Sequence, residues 1–198
     1  MDHHLERFFQ SAKALHIPSP LSKDEWAAVM EETVEANRHL LKAWGGDFWV
    51  FIRLTPGSKD FFGAGGEEEA AQPTMICECM RIPFASRAEK FRHGLEMVTV
   101  STRRIPPECI PPRIKLHSYV NNMLADAEAH SQNPSAYALM QDINGHIAEG
   151  TSYNFFLVKD GVLFTPRELY TLSGTSRRAI IELADQLGIP CEEKDMDV

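Results

Sequence analysis

Three short stretches carry residues that could do chemistry together. Lys115 lies in Pro112-Arg-Ile-Lys-Leu-His-Ser-Tyr119, and Glu149 follows 34 residues later in Ala148-Glu-Gly-Thr151. Further on comes Leu172-Ser-Gly-Thr-Ser-Arg177. A lysine amine can form a Schiff base with an aldehyde, and a carboxylate can pair with a protonated ring nitrogen. A glycine-preceded helix entrance offers backbone N–H groups and partial positive charge to a phosphate. Together these are the three handles that pyridoxal phosphate requires.

Each piece also has a plainer reading. Most lysines face solvent, a glutamate before a glycine is ordinarily an exposed turn residue, and Thr175 and Ser176 could simply cap a helix. The neighbours favour the chemical reading for Lys115. Ile114 and Leu116 flank it, with Tyr119, Asn121 and Asn122 at the head of a following helix. Such surroundings predict a desolvated amine, which is a better nucleophile and base.

The elements that would position these residues follow from periodicity and punctuation. Leu5, Phe8, Phe9, Ala12 and Leu15 share one face of a helix over 2–16, ended by Pro18 and Pro20. Ser22 and Glu25 form a capping box for a helix over 23–43 that stops at Gly45-Gly46. Residues 48–54 are an aromatic and β-branched strand, with further strands expected near 74–82 and 95–103. Residues 56–73, with several glycines and the Glu67-Glu68-Glu69 run, read as a solvated loop. Four prolines within 105–113 predict a stiff extended connection. The expected division is a small α+β domain over 1–104, a linker over 105–112 and a cofactor-binding domain over 113–198.

Beyond the linker a helix over 117–130 places Tyr119, Val120, Met123, Leu124 and Ala127 along one side. Two hairpins are expected. One joins Tyr137–Asp142 to His146–Ala148 around Asn144-Gly145, a type I′ signal, and the other joins Asn154–Val158 to Val162–Thr165 through Asp160-Gly161. Ser173-Gly174-Thr175-Ser176 then opens a helix over 177–187 that ends at Gly188.

Bulk properties exclude several function classes. With 198 residues and a net charge of −8, the chain lacks the clustered Lys and Arg that a nucleic-acid surface needs. No apolar run approaches the roughly 20 residues of a membrane span, so no membrane partner is expected. The charged opening Met1-Asp-His-His-Leu-Glu-Arg7 reads as an amphipathic helix, so no secretory signal is expected, and Cys77, Cys79, Cys109 and Cys191 lack paired metal spacing, which suits a reducing cytoplasm. No metal site is expected, because Cys77 and Cys79 share a strand face without a second ligand pair. Arg53 could meet a substrate carboxylate, but a surface ion pair is the stronger expectation.

Longer motifs sharpen the chemical reading. They are Ile114-Lys-x-x-x-Tyr-x-x-Asn122, Asp142-x-x-Gly-x-x-Ala-Glu-Gly-x-x-x-Asn-x-Phe156 and Gly174-x-Ser-Arg177. The opening His4-Leu-Glu-Arg-Phe-Phe-x-Ser-Ala-Lys-x-Leu-x-Ile-Pro18 accompanies them. This series resembles the class IV aminotransferases, the fold-type IV pyridoxal phosphate enzymes such as branched-chain and D-amino-acid aminotransferases. The resemblance implies an α+β or α/β fold, with a small α/β domain and part of a larger domain built on a β-barrel-like core. It implies Lys115 as the Schiff-base lysine, Glu149 as the pyridinium partner and Tyr119 as donor to the cofactor's phenolic oxygen. Thr175 and Ser176 would bind its phosphate. Lys115 would also shuttle a proton between the substrate α-carbon and the cofactor's C4′ carbon.

Amino acid and 2-oxo acid substrates and a homodimer are implied in the same way. Two positions depart from the family pattern: Tyr153 stands where many members have glutamate, and Thr175 where isoleucine is common. Relative to the family the chain resembles the middle of a longer enzyme. A phosphate-binding arginine would lie ahead of it, and a second phosphate-binding threonine beyond Val198. Transamination is the leading function. An aminodeoxychorismate lyase-type elimination and a catalytically silent truncated homologue stand as alternatives.

Overall fold

Ser22 and Glu25 are the strongest local signal in the first half, and they act as their spacing predicts. A computed structural model describes residues 1–57 and 72–198. In it Ser22 accepts from the Glu25 N–H while the Glu25 carboxylate accepts from the Ser22 N–H at 2.7 Å, a complete capping box. The helix it starts, α2 (Lys23–Trp44), ends on Gly45 in the left-handed region at φ 60°. Preceding it, α1 (Asp2–Ala14) buries Leu5 and Ala12, and Phe8 meets the buried Trp26 edge-to-face at 5.2 Å. Leu15, expected on the apolar face, is exposed because the helix ends at Ala14.

Strands β1 (Phe48–Thr55) and β2 (Thr74–Arg81) pair antiparallel, with Phe48 opposite Arg81 and Thr55 opposite Thr74. The expected loop between them lies mostly in 58–71, outside the described residues. Arg53 pairs with Glu78 across this ladder, the ion pair expected of it. Helix α3 (Phe84–His93) has no counterpart in the sequence-based expectation. It buries no residue, its apolar period is only the short Phe84, Ala88, Phe91 series, and Pro83 before it and Gly94 after it mark its ends.

The chain divides into two units, Met1–His93 and Gly94–Val198. The division thus falls ahead of the expected linker at 105–112. The reason is β3 (Met97–Thr99), which pairs parallel with β4 (Tyr137–Gln141) and so belongs to the second unit. The proline-rich stretch is not extended throughout. Pro106 O accepts from the Cys109 and Ile110 N–H groups and Pro111 O from Ile114 N–H, so the prolines act as acceptors in two turns.

In the second unit, β3, β4 and β5 (Ile147–Gly150) form one sheet, and β6 (Leu157–Lys159), β7 (Val162–Thr165) and β8 (Cys191–Glu193) form another. The segment after β8 joins them: Lys194 N–H donates to Thr165 O, and Met196 O accepts from Ile147 N–H at 2.7 Å. Met196 is buried with Leu139 and Ile147, and Phe155 and Phe164 pack against them, so the two sheets share a core. On the other face of β4, Ala138 and Met140 meet Val100 and helix α4 (Val120–Gln132). The alternation of β4 between these two cores is the period-2 pattern of a strand covered on both sides.

Two details reverse expectation. Helix α4 turns Ala125 and Ala129 inward and leaves Val120, Met123 and Leu124 exposed. Alanines let the helix lie close on the sheet, and proximity to β3 and β4 decided the face over side-chain size. The type I′ turn is at Asp160-Gly161, where both residues have positive φ (51° and 78°). At the other hairpin only Gly145 is left-handed, and Gly145 N–H closes a turn on Asp142 O at 3.2 Å, so Asn144-Gly145 is not type I′. Strand β8 also escaped expectation, because three residues carry too little pattern to read.

Glu128 on α4 holds the segment that follows β3. It accepts from Ser101 N–H at 2.5 Å, Thr102 N–H at 3.0 Å and Thr102 Oγ1 at 2.9 Å. The Ser101 N–H foremost holds its pKa down at about 2. With the folded pKa below the unfolded one, this stabilisation is present above the unfolded value and is lost as pH falls through the folded value. Glu128→Gln is expected to lower stability at neutral pH by about 1 kcal/mol in urea unfolding. The gap to wild type should close as pH falls from about 4 toward 2. A gap that persists in acid would show that Glu128 does not act through its charge.

Candidate active site

Strand β5 is buried along its whole length, and Glu149 with it is only 5% exposed. The exposed-turn reading of this residue is thereby overturned. Its carboxylate is held from three directions. Oε1 meets Arg104 Nη2 at 2.8 Å, while Oε2 accepts from Asn154 Nδ2 at 3.1 Å and Leu172 N–H at 3.0 Å. Burial pushes the Glu149 pKa up; Arg104, the Leu172 N–H, Lys115 and Arg177 oppose this without cancelling it. A further N–H donor or cation would find an acceptor already in place.

Arg104 was visible in the sequence only as half of a basic pair. Its own N–H donates to Gln141 O at 2.9 Å, and its Nη1 lies 3.4 Å from Asn122 Oδ1. Asn122 Nδ2 also donates to Thr151 O, so the head of α4 is tied to Arg104 and to the end of β5. A buried carboxylate needs a counter-charge, and that requirement could have pointed to an arginine, though not to which one.

Asn154 is the second residue that spacing alone did not single out. Its Nδ2 donates both to Glu149 and to Leu172 O at 2.9 Å. It thereby couples the carboxylate to the segment entering helix α5 (Thr175–Gln186). A Cβ added at Gly174 would collide with Asn154 Oδ1, which explains a glycine at a position whose φ of −70° suits any residue. Gly174 is the N-cap and has no side chain to bond the first N–H groups. Thr175 and Ser176 are thus the first two helical residues rather than caps, and α5 begins two residues earlier than expected.

Lys115 Nζ donates to Tyr119 Oη at 3.1 Å, with Tyr119 at the N-cap of α4. The structure thus joins Lys115 to Tyr119 and Glu149 to the α5 entrance, while Lys115 also acts on Glu149 through space. Lys115 is exposed, so the desolvation expected from Ile114 and Leu116 is not seen. Tyr153 donates to Ala138 O at 2.8 Å, and burial pushes its pKa up to about 12, so this residue supplies packing rather than charge. A cleft of about 110 Å³ lined by Asp142, His146, Arg167, Tyr170 and Asp195 among others includes none of the five predicted residues.

Alanine fits the Gly174 φ, so beyond the modest penalty of alanine at an N-cap the cost of Gly174→Ala arises from displacing Asn154. Gly174→Ala and Asn154→Ala are each expected to lose roughly 1–3 kcal/mol in urea unfolding. The double variant should lose clearly less than the sum. Additive losses would show that the two positions are independent.

Residues 1–198 match the family described as Amino-transferase class IV. The branched-chain-amino-acid aminotransferase of Escherichia coli strain K12 is 32% identical over 195 residues, which cover 96% of this chain and 60% of that enzyme. The crystal structure of an E. coli branched-chain amino acid aminotransferase aligns with a TM-score of 0.84 at 28% identity, over 98% of this chain and 62% of that one. That of the T.th. branched-chain amino acid aminotransferase with pyridoxamine 5'-phosphate aligns with a TM-score of 0.81 at 26% identity, over 99% and 61%. The chain therefore spans 60–62% of the length of these relatives. The architecture is that of the fold-type IV enzymes, and the chain belongs to the class IV aminotransferase family.

Proposed function

We propose that this chain binds pyridoxal 5'-phosphate and takes part in amino transfer between an amino acid and a 2-oxo acid. The observation that carries the reading is the buried Glu149 carboxylate, coupled through Asn154 to a helix entrance capped by a glycine. The residues present fit that cofactor. Burial leaves Glu149 short of positive charge, which a protonated ring nitrogen supplies. The first turn of α5 has no capping side chain over its N–H groups, which suits a phosphate. When bound, the cofactor supplies an electron sink for breaking a substrate C–H bond.

The chain's own residues then have distinct tasks. Lys115 would be the covalent anchor, and once the substrate amine has displaced it, its freed Nζ would carry a proton from the substrate α-carbon to the cofactor's C4′ carbon. Tyr119, already bonded to Nζ, orients the amine and donates to the cofactor's phenolic oxygen. Arg104 holds Glu149 in place and opposes the upward push of burial on its pKa, which favours a carboxylate for the ring nitrogen to meet. Thr175 and Ser176 bind the phosphate through backbone N–H and hydroxyl groups. The compared enzymes are named for branched-chain amino acids, so those are the donors to assay first. Pairing of two copies belongs to the same proposal and rests on family membership alone.

Mixed with pyridoxal phosphate, the protein is expected to develop a visible absorption band that Lys115→Ala abolishes. Wild type that shows no band would sink the reading. Consumption of a 2-oxo acid by the loaded protein would then distinguish transfer from elimination.

A further inference from the structure

A second charge cluster beside the α5 entrance has no part in the roles above. Arg177, on the first turn of α5, has a side chain only 2% exposed. Its Nη1 pairs with Glu168 Oε1 at 2.8 Å, and its Nη2 meets Glu193 Oε2 at 2.7 Å and Pro166 O at 2.9 Å. The other oxygen of Glu168 accepts from Ser173 Oγ at 2.6 Å. One carboxylate thus grips the chain on both sides of Gly174: at Ser173 before it and at Arg177 after it.

The two grips differ in what they do for the fold. Arg177 keeps Glu193 and Pro166 O whether or not Glu168 is present, and the Glu168 side chain is 48% exposed. Glu193 and Pro166 O satisfy Nη2, and Glu168 satisfies Nη1, so Glu168 shares in burying the guanidinium rather than carrying it alone. What it adds is a link from the buried arginine to the Ser173 hydroxyl, next to the glycine that opens the helix. Rotation of that peptide would re-aim the first N–H groups of α5. A phosphate held by several N–H donors is sensitive to such a change, because each hydrogen bond weakens steeply with misalignment.

We infer that Glu168 is a positioning residue for the phosphate end of the cofactor, acting through Ser173 and Arg177 to aim the N–H groups of Thr175 and Ser176. This rests on the pyridoxal phosphate reading proposed above. It assigns Glu168 no contact with the cofactor.

The test compares pyridoxal phosphate with pyridoxal, which lacks the phosphate, as titrants of the full chain and its variants. Binding is followed by the visible band and by protein fluorescence, and each variant's thermal midpoint is recorded. Glu168→Ala is expected to weaken pyridoxal phosphate on the order of tenfold, the loss of one charge-assisted hydrogen-bond link, and to leave pyridoxal unchanged. Ser173→Ala, which breaks the same link without touching Arg177, should reproduce the effect and keeps the test open should Glu168→Ala not fold. The double variant should be no worse than either single one. Unchanged binding of pyridoxal phosphate, or equal weakening of both compounds, overturns the positioning role while the cofactor reading stands. Wild type that binds neither compound removes the cofactor reading, and the positioning role with it.

Discussion

A carboxylate that cannot reach water governs the second unit. Taking Glu149 out of solvent costs several kcal/mol unless charge and hydrogen bonds replace hydration. The replacements come from Arg104, which follows β3; from Asn154, which follows β5; and from the backbone of Leu172 ahead of α5. Three segments far apart in sequence are thus obliged to meet at one strand position. An apolar residue at 149 would fill the same space without recruiting any of them. A buried ion pair is weak evidence for stability, and its retention here fits a site kept for chemistry.

Local signals with a complete physical mechanism were legible, and those that depend on a neighbour were not. The Ser22–Glu25 box and the Gly45 stop involve residues within a few positions, so spacing sufficed. Helix α3 carries only the short Phe84, Ala88, Phe91 series at helical spacing and buries none of it. On α4 the largest apolar side chains mark the exposed face, because the sheet beneath admits only alanines at Ala125 and Ala129. At the hairpins, Asn144-Gly145 and Asp160-Gly161 read alike in sequence. Asp142 separates them, since its carboxylate accepts from the Asn144 and His146 N–H groups at 2.8 and 2.9 Å and its carbonyl closes the turn on Gly145.

The site divides along the same line. Lysine, glutamate and a Gly-Thr-Ser helix entrance announce themselves by type and order, although α5 begins at Thr175, two residues before the expected start. Arg104 and Asn154 do not, because an arginine beside another arginine and an asparagine before two phenylalanines have many uses. Their roles appear only when β5 turns Glu149 inward. Lys115 shows the reverse failure: apolar neighbours in sequence did not bury it, since irregular backbone carries no rule for which side chains share a face.

The segment from Pro166 to Gly174 is suspended between two anchors. Glu149 and Asn154 hold the N–H and C=O of Leu172 on one side, and Glu168 and Arg177 hold Ser173 and Pro166 O on the other. Thr171, buried between them, donates to Arg167 O at 3.4 Å. A loop ordered this fully by folding loses little further freedom when an anion arrives, so binding does not have to supply that ordering. The anchors also differ in kind. The Glu149 side is buried and, on the proposed reading, would meet a ring nitrogen, whereas the Glu168 side chain is half exposed and bonded to Ser173 and Arg177. On the proposed reading, the helix entrance would be aimed from one side while the other side meets what is bound, which is the separation of support from contact that a preorganised site requires.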